Sequence, residues 1–390
     1  MILRNRVSGS GINPSGGRPR LVGVNQTQSI TDLMLNLGLV PRAESRTISR
    51  LERRASDSQA FLADLHRQGQ LTRLQATQIG RGRGHHLVLG QYLLQDRLGS
   101  GGMGRVFLAR HRGLDKLVAL KMVRYDRRHC TVTKARFLRE VRLIGRLNHE
   151  NVVHAHDAGI AHGAFYLAME YVPGIDLGHA IVLGGPMEAG RACEYVRQAA
   201  LGLQHIHERG LIHRDVKPSN LALASGGRTV KVLDVGLARS SRSQRESGLS
   251  HARKLIGSPD YAAPEQILDS RRVDPRADLY SLGCSLYHLL TGRVPYLGGT
   301  AVEKALKHLA GTPPIRVEDL RPGVPEGLGD VVRRLMAHRR KDRFRTASEV
   351  AATLAHFAVP YTPGSSTNAS ADTVVHFNTA SEAVTLASGE

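Results

Sequence analysis

His213-Arg214-Asp215-Val216-Lys217-Pro218-Ser219-Asn220 sets an acid, a base and an amide within one short loop, a combination that few unrelated folds need at such spacing. If Asp215 serves as a base, three things must stand elsewhere in the chain. A glycine loop able to cover phosphates and a lysine must precede it, and an aspartate able to hold a metal must follow.

The first requirement is met at Gly99-Ser100-Gly101-Gly102-Met103-Gly104, which fits G-x-G-x-x-G and lets backbone approach phosphate oxygens. Alone the pattern is weak, because dinucleotide-binding folds use it too. Such a fold would place a helix directly after the glycines, whereas Arg105 to Arg110 alternates like a strand. Val118-Ala119-Leu120-Lys121 then reads as a strand ending in a cation. An amphipathic helix follows over Val132 to Leu147, with Phe137, Val141, Ile144 and Leu147 on one stripe. Glu140 lies on that helix, where a carboxylate can hold Lys121 extended toward phosphates. Taken singly, Lys121 reads also as a solvated edge residue, Glu140 as a partner of Arg136 or Arg139, and Asn220 or Asp234 as a loop cap.

Together the motifs are specific. Gly99 to Val106, Lys121, Glu140, the 213–220 loop, Asp234-Val235-Gly236 and Ala263-Pro264-Glu265 stand in the order and approximate spacing of the protein kinases. The chain resembles the bacterial eukaryotic-like serine/threonine protein kinases from about Gly90 to Phe357. The resemblance implies an α+β, two-lobed fold: a small β-rich N-lobe with one main helix, and a larger, mostly helical C-lobe. It makes Asp215 the base for the substrate hydroxyl, Lys217 a stabiliser of the transferred phosphate, and Lys121 with Glu140 the phosphate-holding pair. Asn220 and Asp234 become ligands of Mg²⁺, with Mn²⁺ as an alternative. ATP is expected against Leu98, Gly99, Ser100, Gly101, Gly102, Met103, Gly104, Val106, Ala119, Lys121, Glu170 and Val172, with Met169 guarding the back pocket.

Lys217, with Ser258 in Gly257-Ser258-Pro259-Asp260-Tyr261, implies Ser or Thr as acceptor, so protein substrates are the expected partners. Two scaffold roles follow as well: Glu265 pairs with Arg343, and Asp278 holds the backbone of the catalytic loop. Arg214 and the serines from Ser240 to Ser250 imply activation-loop autophosphorylation, with Ser250 the best candidate and a homodimer as the trans arrangement. The chain departs from the family pattern at Val235, where Phe is usual, at Ala222 under the adenine, and at Arg339-Arg340. The alternative readings are a pseudokinase scaffold without turnover, a small-molecule phosphotransferase and a nucleic-acid binder.

Composition agrees with a soluble globular chain. The 390 residues carry a formal charge of +20, which favours polyanions without naming one; nucleic acid is not the expected partner. Three widely spaced cysteines argue against a disulfide framework. No secretory signal and no apolar run near the roughly 20 residues of a membrane span are read, so the expected location is cytoplasmic.

Residues 1–26 and 359–390 read as disordered, and 27–86 as a small basic helical extension of two or three helices. The N-lobe and hinge are expected over 87–172, with five strands, and the C-lobe over 173–358. Between residues 1 and 90 the net charge is +8, from 13 Arg and five acidic residues.

Overall fold

The computed structural model describes residues 29–101, 104–123, 130–235, 259–269 and 272–359. The readings on the two chain ends and on the serines from Ser240 to Ser258 lie outside the described residues. Two compact units divide between Leu71 and Thr72.

The first unit holds α1 (Ile30–Leu37), α2 (Ser45–Arg54) and α3 (Ser58–Arg67). Each begins where sequence chemistry allows. Ser29 accepts the amide of Asp32, and Asp57 accepts those of Gln59 and Ala60, satisfying donors that a helix start leaves open. The Glu52 carboxylate on α2 reaches back to the amides of Ile30 (2.8 Å) and Thr31 (3.2 Å) and so caps α1 from outside. Met34, Ile48, Phe61 and Leu65 form the buried seam.

The second unit opens with α4 (Arg73–Gly80), so the expected extension over 27–86 divides and its last helix belongs with the sheet. That sheet is antiparallel, with six strands: β1 (Val88–Leu89), β2 (Tyr92–Gly101), β3 (Gly104–His111), β4 (Lys116–Val123), β5 (Ala155–Ala161) and β6 (Ala164–Glu170). They lie in the order β1-β2-β3-β4-β6-β5. Five were expected. The sixth, β1, has two residues, too few to show alternation. The helix α5 (Cys130–Ile144) docks by stacking Phe137 on Phe165, ring centroids 4.4 Å apart.

Beyond the hinge run β7 (Gly174–Asp176), α6 (Leu177–Gly184), α7 (Ala189–Glu208), β8 (Leu221–Ala224) and β9 (Val230–Val232). The helices α8 (Pro264–Leu268), α9 (Arg276–Thr291), α10 (Ala301–Ala310), α11 (Val317–Leu320), α12 (Leu328–Leu335) and α13 (Ala347–Leu354) complete the helical lobe. Leu279, Leu282, Leu286 and Leu290 are fully buried, and so are Ala277 and Cys284. The helix α9 is therefore apolar on nearly every side and forms the axis of the lobe. The small sheet β7-β8-β9 lies beneath the cleft and ends next to Leu233 and Asp234.

Candidate active site

The 213–220 loop leaves α7 through Gly210 and is fixed by one carboxylate. Asp278, fully buried in the first turn of α9, accepts the backbone amides of His213 (2.8 Å) and Arg214 (2.7 Å) and the Nε2–H of His207 (2.8 Å). Burial pushes the Asp278 carboxyl up, but the bond and charge of His207 outweigh it, and the group titrates below its ordinary value. Arg214 adopts φ 68°, a conformation unfavourable for a residue with a β-carbon. Its amide bond to Asp278 and the Gln266 side-chain amide, which donates to its carbonyl, help to hold it there.

His213 is buried and ties the loop to the metal-side strand. Its Nε2 lies 2.6 Å from the Leu233 carbonyl, and its Nδ1 accepts the Asp215 amide at 3.2 Å. A neutral ring with the proton on Nε2 satisfies both contacts.

Asp215 is gripped at one oxygen. Asn220 Nδ2 donates to Oδ2 at 3.0 Å and to the Asp215 carbonyl at 2.7 Å, and Lys217 Nζ stands 2.9 Å from the same Oδ2. Proton transfer would then fall to the second carboxylate oxygen, Oδ1. The amide nitrogen of Asn220 is thereby committed, so its Oδ1 is the atom that can face a cation. Asn220 also accepts the Leu233 amide at 2.9 Å, which brings Asp234 alongside.

Across the sheet, Gly99, Val106, Lys121 and Leu167 are successive cross-strand partners on β2, β3, β4 and β6. Paired residues share a face, and so does Ala119, two residues before Lys121 and paired with Met169. The expected nucleotide-side residues Val106, Ala119, Lys121 and Met169 thus line one surface. Leu98 is buried beside them. Gly104 has φ 148°, and a β-carbon there would collide with the Met122 carbonyl oxygen, so the loop closes only with glycine. Gly102 and Met103 lie outside the described residues. At the hinge, the Glu170 side chain is taken by Lys231 Nζ (3.0 Å), which leaves any contact with a base to backbone.

Lys121 is almost fully buried, and its described ion pair is with Asp234 Oδ1 at 2.8 Å. Glu140 was expected in that place. In this structure Glu140 is not brought onto Lys121, and Asp234, held at φ 60°, supplies the carboxylate instead. Burial raises the Asp234 pKa, but the charge and hydrogen bond of Lys121, with smaller help from Lys217, lower it overall.

The structure therefore gathers Lys121, Asp215, Lys217, Asn220 and Asp234, and joins Asp215 to Asp234 through Asn220 and His213. The expected scaffold pair is present: Arg343 meets Glu265 through two parallel bonds of 2.7 and 2.9 Å. Sequence reading missed His207 and the bridging role of His213. His207 carried no signal, because its partner lies 71 residues away.

A family profile described as protein kinase domain matches residues 92–354. The chain belongs to the protein kinase family. It is 37% identical over 268 residues to serine/threonine-protein kinase PknB of Mycobacterium leprae, covering 68% of this kinase and 42% of that protein. It is 33% identical over 265 residues to PrkC of Bacillus subtilis, covering 68% and 40%. The kinase thus spans about two fifths of the length of these curated relatives. The crystal structure of the PknI kinase domain of Mycobacterium tuberculosis matches with TM-score 0.54 and 29% identity, covering 70% of this chain and 98% of that one.

Proposed function

We propose that this kinase transfers the γ-phosphoryl group of ATP to Ser and Thr hydroxyls of proteins. The observation that carries the reading is the Asp215 carboxylate, fixed at Oδ2 by Asn220 and Lys217, with Lys121 and Asp234 joined to the same network. As the substrate oxygen bonds to the γ-phosphorus, the bond to the β-phosphate oxygen breaks and ADP leaves. The hydroxyl proton passes to Asp215 Oδ1. Lys217, within reach of Asp215, offsets charge on the moving phosphoryl group, and Lys121 holds the phosphates that remain behind. Phosphoryl transfer asks for positioning and charge rather than covalent help, which is what these side chains provide.

The donor set suits Mg²⁺. Asn220 Oδ1 and the Asp234 oxygen not engaged by Lys121 are hard ligands, and a bound divalent cation would neutralise phosphate charge there. We place the reaction in the cytoplasm; among the described residues no helix is long and apolar enough to cross a membrane. Trans-autophosphorylation between two copies fits Arg214 beside the catalytic Asp.

Incubation with ATP, Mg²⁺ and a generic basic protein should show transfer to Ser or Thr. Asp215→Asn should lower the rate by about 10²–10⁴-fold. Equal rates for wild type and Asp215→Asn would sink the proposal.

A further inference from the structure

The strand that leads into the glycine loop is not regular. Between Leu94 and Asp96 the β2–β3 register shifts, leaving Gln95 as an extra residue, four positions before Gly99. Such a bulge bends its strand and sets the direction of everything beyond it. It also diverts backbone carbonyls from the ladder, and these need partners.

The helix α4 supplies them. The Thr72 hydroxyl donates to the Gln95 carbonyl. The Gln75 amide donates to the Leu94 carbonyl (3.0 Å) and to Gln95 Oε1 (3.2 Å), while its own oxygen accepts the Thr72 amide (3.0 Å). Gln75 is 2% exposed and its bond to the Leu94 carbonyl is buried, while the bonds that involve Thr72 and the Gln95 side chain are part-buried. Thr72 and Gln75 also form the capping box that starts α4, which locks both side chains in the bonding pose. Both residues precede the segment matched to the family, 92–354. The brace therefore reaches the matched segment from outside it.

We propose that Thr72 and Gln75 are positioning residues for the nucleotide: they brace the Gln95 bulge and thereby aim the glycine loop at the phosphates. The coupling runs along one strand, through a second register shift between Arg97 and Gly99. Beyond the bulge, Arg97 bonds Ser100, Gly99 pairs with Val106, and Val106 pairs with Lys121. Without the brace, the buried Leu94 carbonyl and the part-buried Gln95 carbonyl lose these donors, and a shift of register is the strand's way to regain them. A one-residue slip turns each side chain to the opposite face. Gly99, Val106 and Lys121 would no longer stand in one row.

The proposal rests on the nucleotide reading of the glycine loop, and its test uses binding rather than turnover. ADP with Mg²⁺ is titrated into the full chain by calorimetry, well below each variant's melting temperature. Gln75→Ala and Thr72→Val should each weaken ADP binding about tenfold, the effect of losing a buried bond. Thr72→Ser, which keeps the hydroxyl, should bind as wild type does, and KM for the protein substrate should stay within about twofold. ADP affinity within about twofold of wild type in both disabling variants overturns the proposal, as does a parallel rise in substrate KM. Because ADP binding needs no transfer, the titration judges the brace even if the wild-type chain proves inactive. A wild-type chain that binds no ADP overturns both readings.

Discussion

Two ion pairs, one within the helical lobe and one joining the two lobes, are built differently. Arg343 and Glu265 are shut in: the guanidinium is 0% exposed, and all five of its donors are spent. Two go to Glu265, and the others go to the carbonyls of Ala337, Arg276 and His338. Lys121 and Asp234 meet through one contact, and the Asp234 side chain stays 31% exposed. A closed pair has no capacity left for a ligand, so its work is to hold α8 to the helical lobe. A half-open pair can exchange one member for phosphate or metal. Completeness of bonding thus separates the scaffold from the chemistry, although both pairs join a cation to a carboxylate.

Breaking the closed pair should have the largest effect. Arg343→Met leaves the Glu265 carboxylate, 11% exposed, without its cation, at a cost of about 3–5 kcal/mol, read as a lowered urea midpoint. A loss below about 1 kcal/mol would erase the contrast. Lys121→Met should invert the pattern. Stability falls by about 1–2 kcal/mol, because Asp234 can turn to water, while phosphoryl transfer drops by about 10²-fold or more. If Lys121→Met unfolds the chain as readily as Arg343→Met, openness does not mark function.

The smallest effect is expected from pH. Asp234 and Asp278 both titrate below the ordinary 3.8. Their stability is complete above that value and drains away as pH falls through their lower folded values. Wild type and Asp278→Asn should therefore differ most in unfolding free energy near neutrality and converge below pH 3.8. A gap that widens on acidification would contradict the assignment.

Much of this was legible in sequence because the reacting groups sit at fixed spacing on short segments. Asp215, Lys217 and Asn220 fall within six residues, and local geometry leaves them little choice but to meet. The long helices α7 and α9 showed through their apolar positions. What stayed hidden depends on distant partners. The choice of Asp234 over Glu140 by Lys121 is a matter of side-chain placement. The bond from His207 to Asp278 spans the lobe, and the Gln95 bulge is a property of strand pairing that one strand cannot reveal. The strands β7, β8 and β9 are three or four residues long, too short for alternation to register.

The Glu52 cap on α1 also orders events in time. An eight-residue helix falls short of the roughly 12 to 15 residues at which isolated helices begin to persist in water. During synthesis α1 leaves the ribosome before α2, yet its opening amides must wait for a carboxylate 22 residues later. The earlier of the two helices therefore depends on the later one for its stability. A nascent chain halted before Glu52 would carry α1 as coil, and release of the next few residues would let the first unit close in one step.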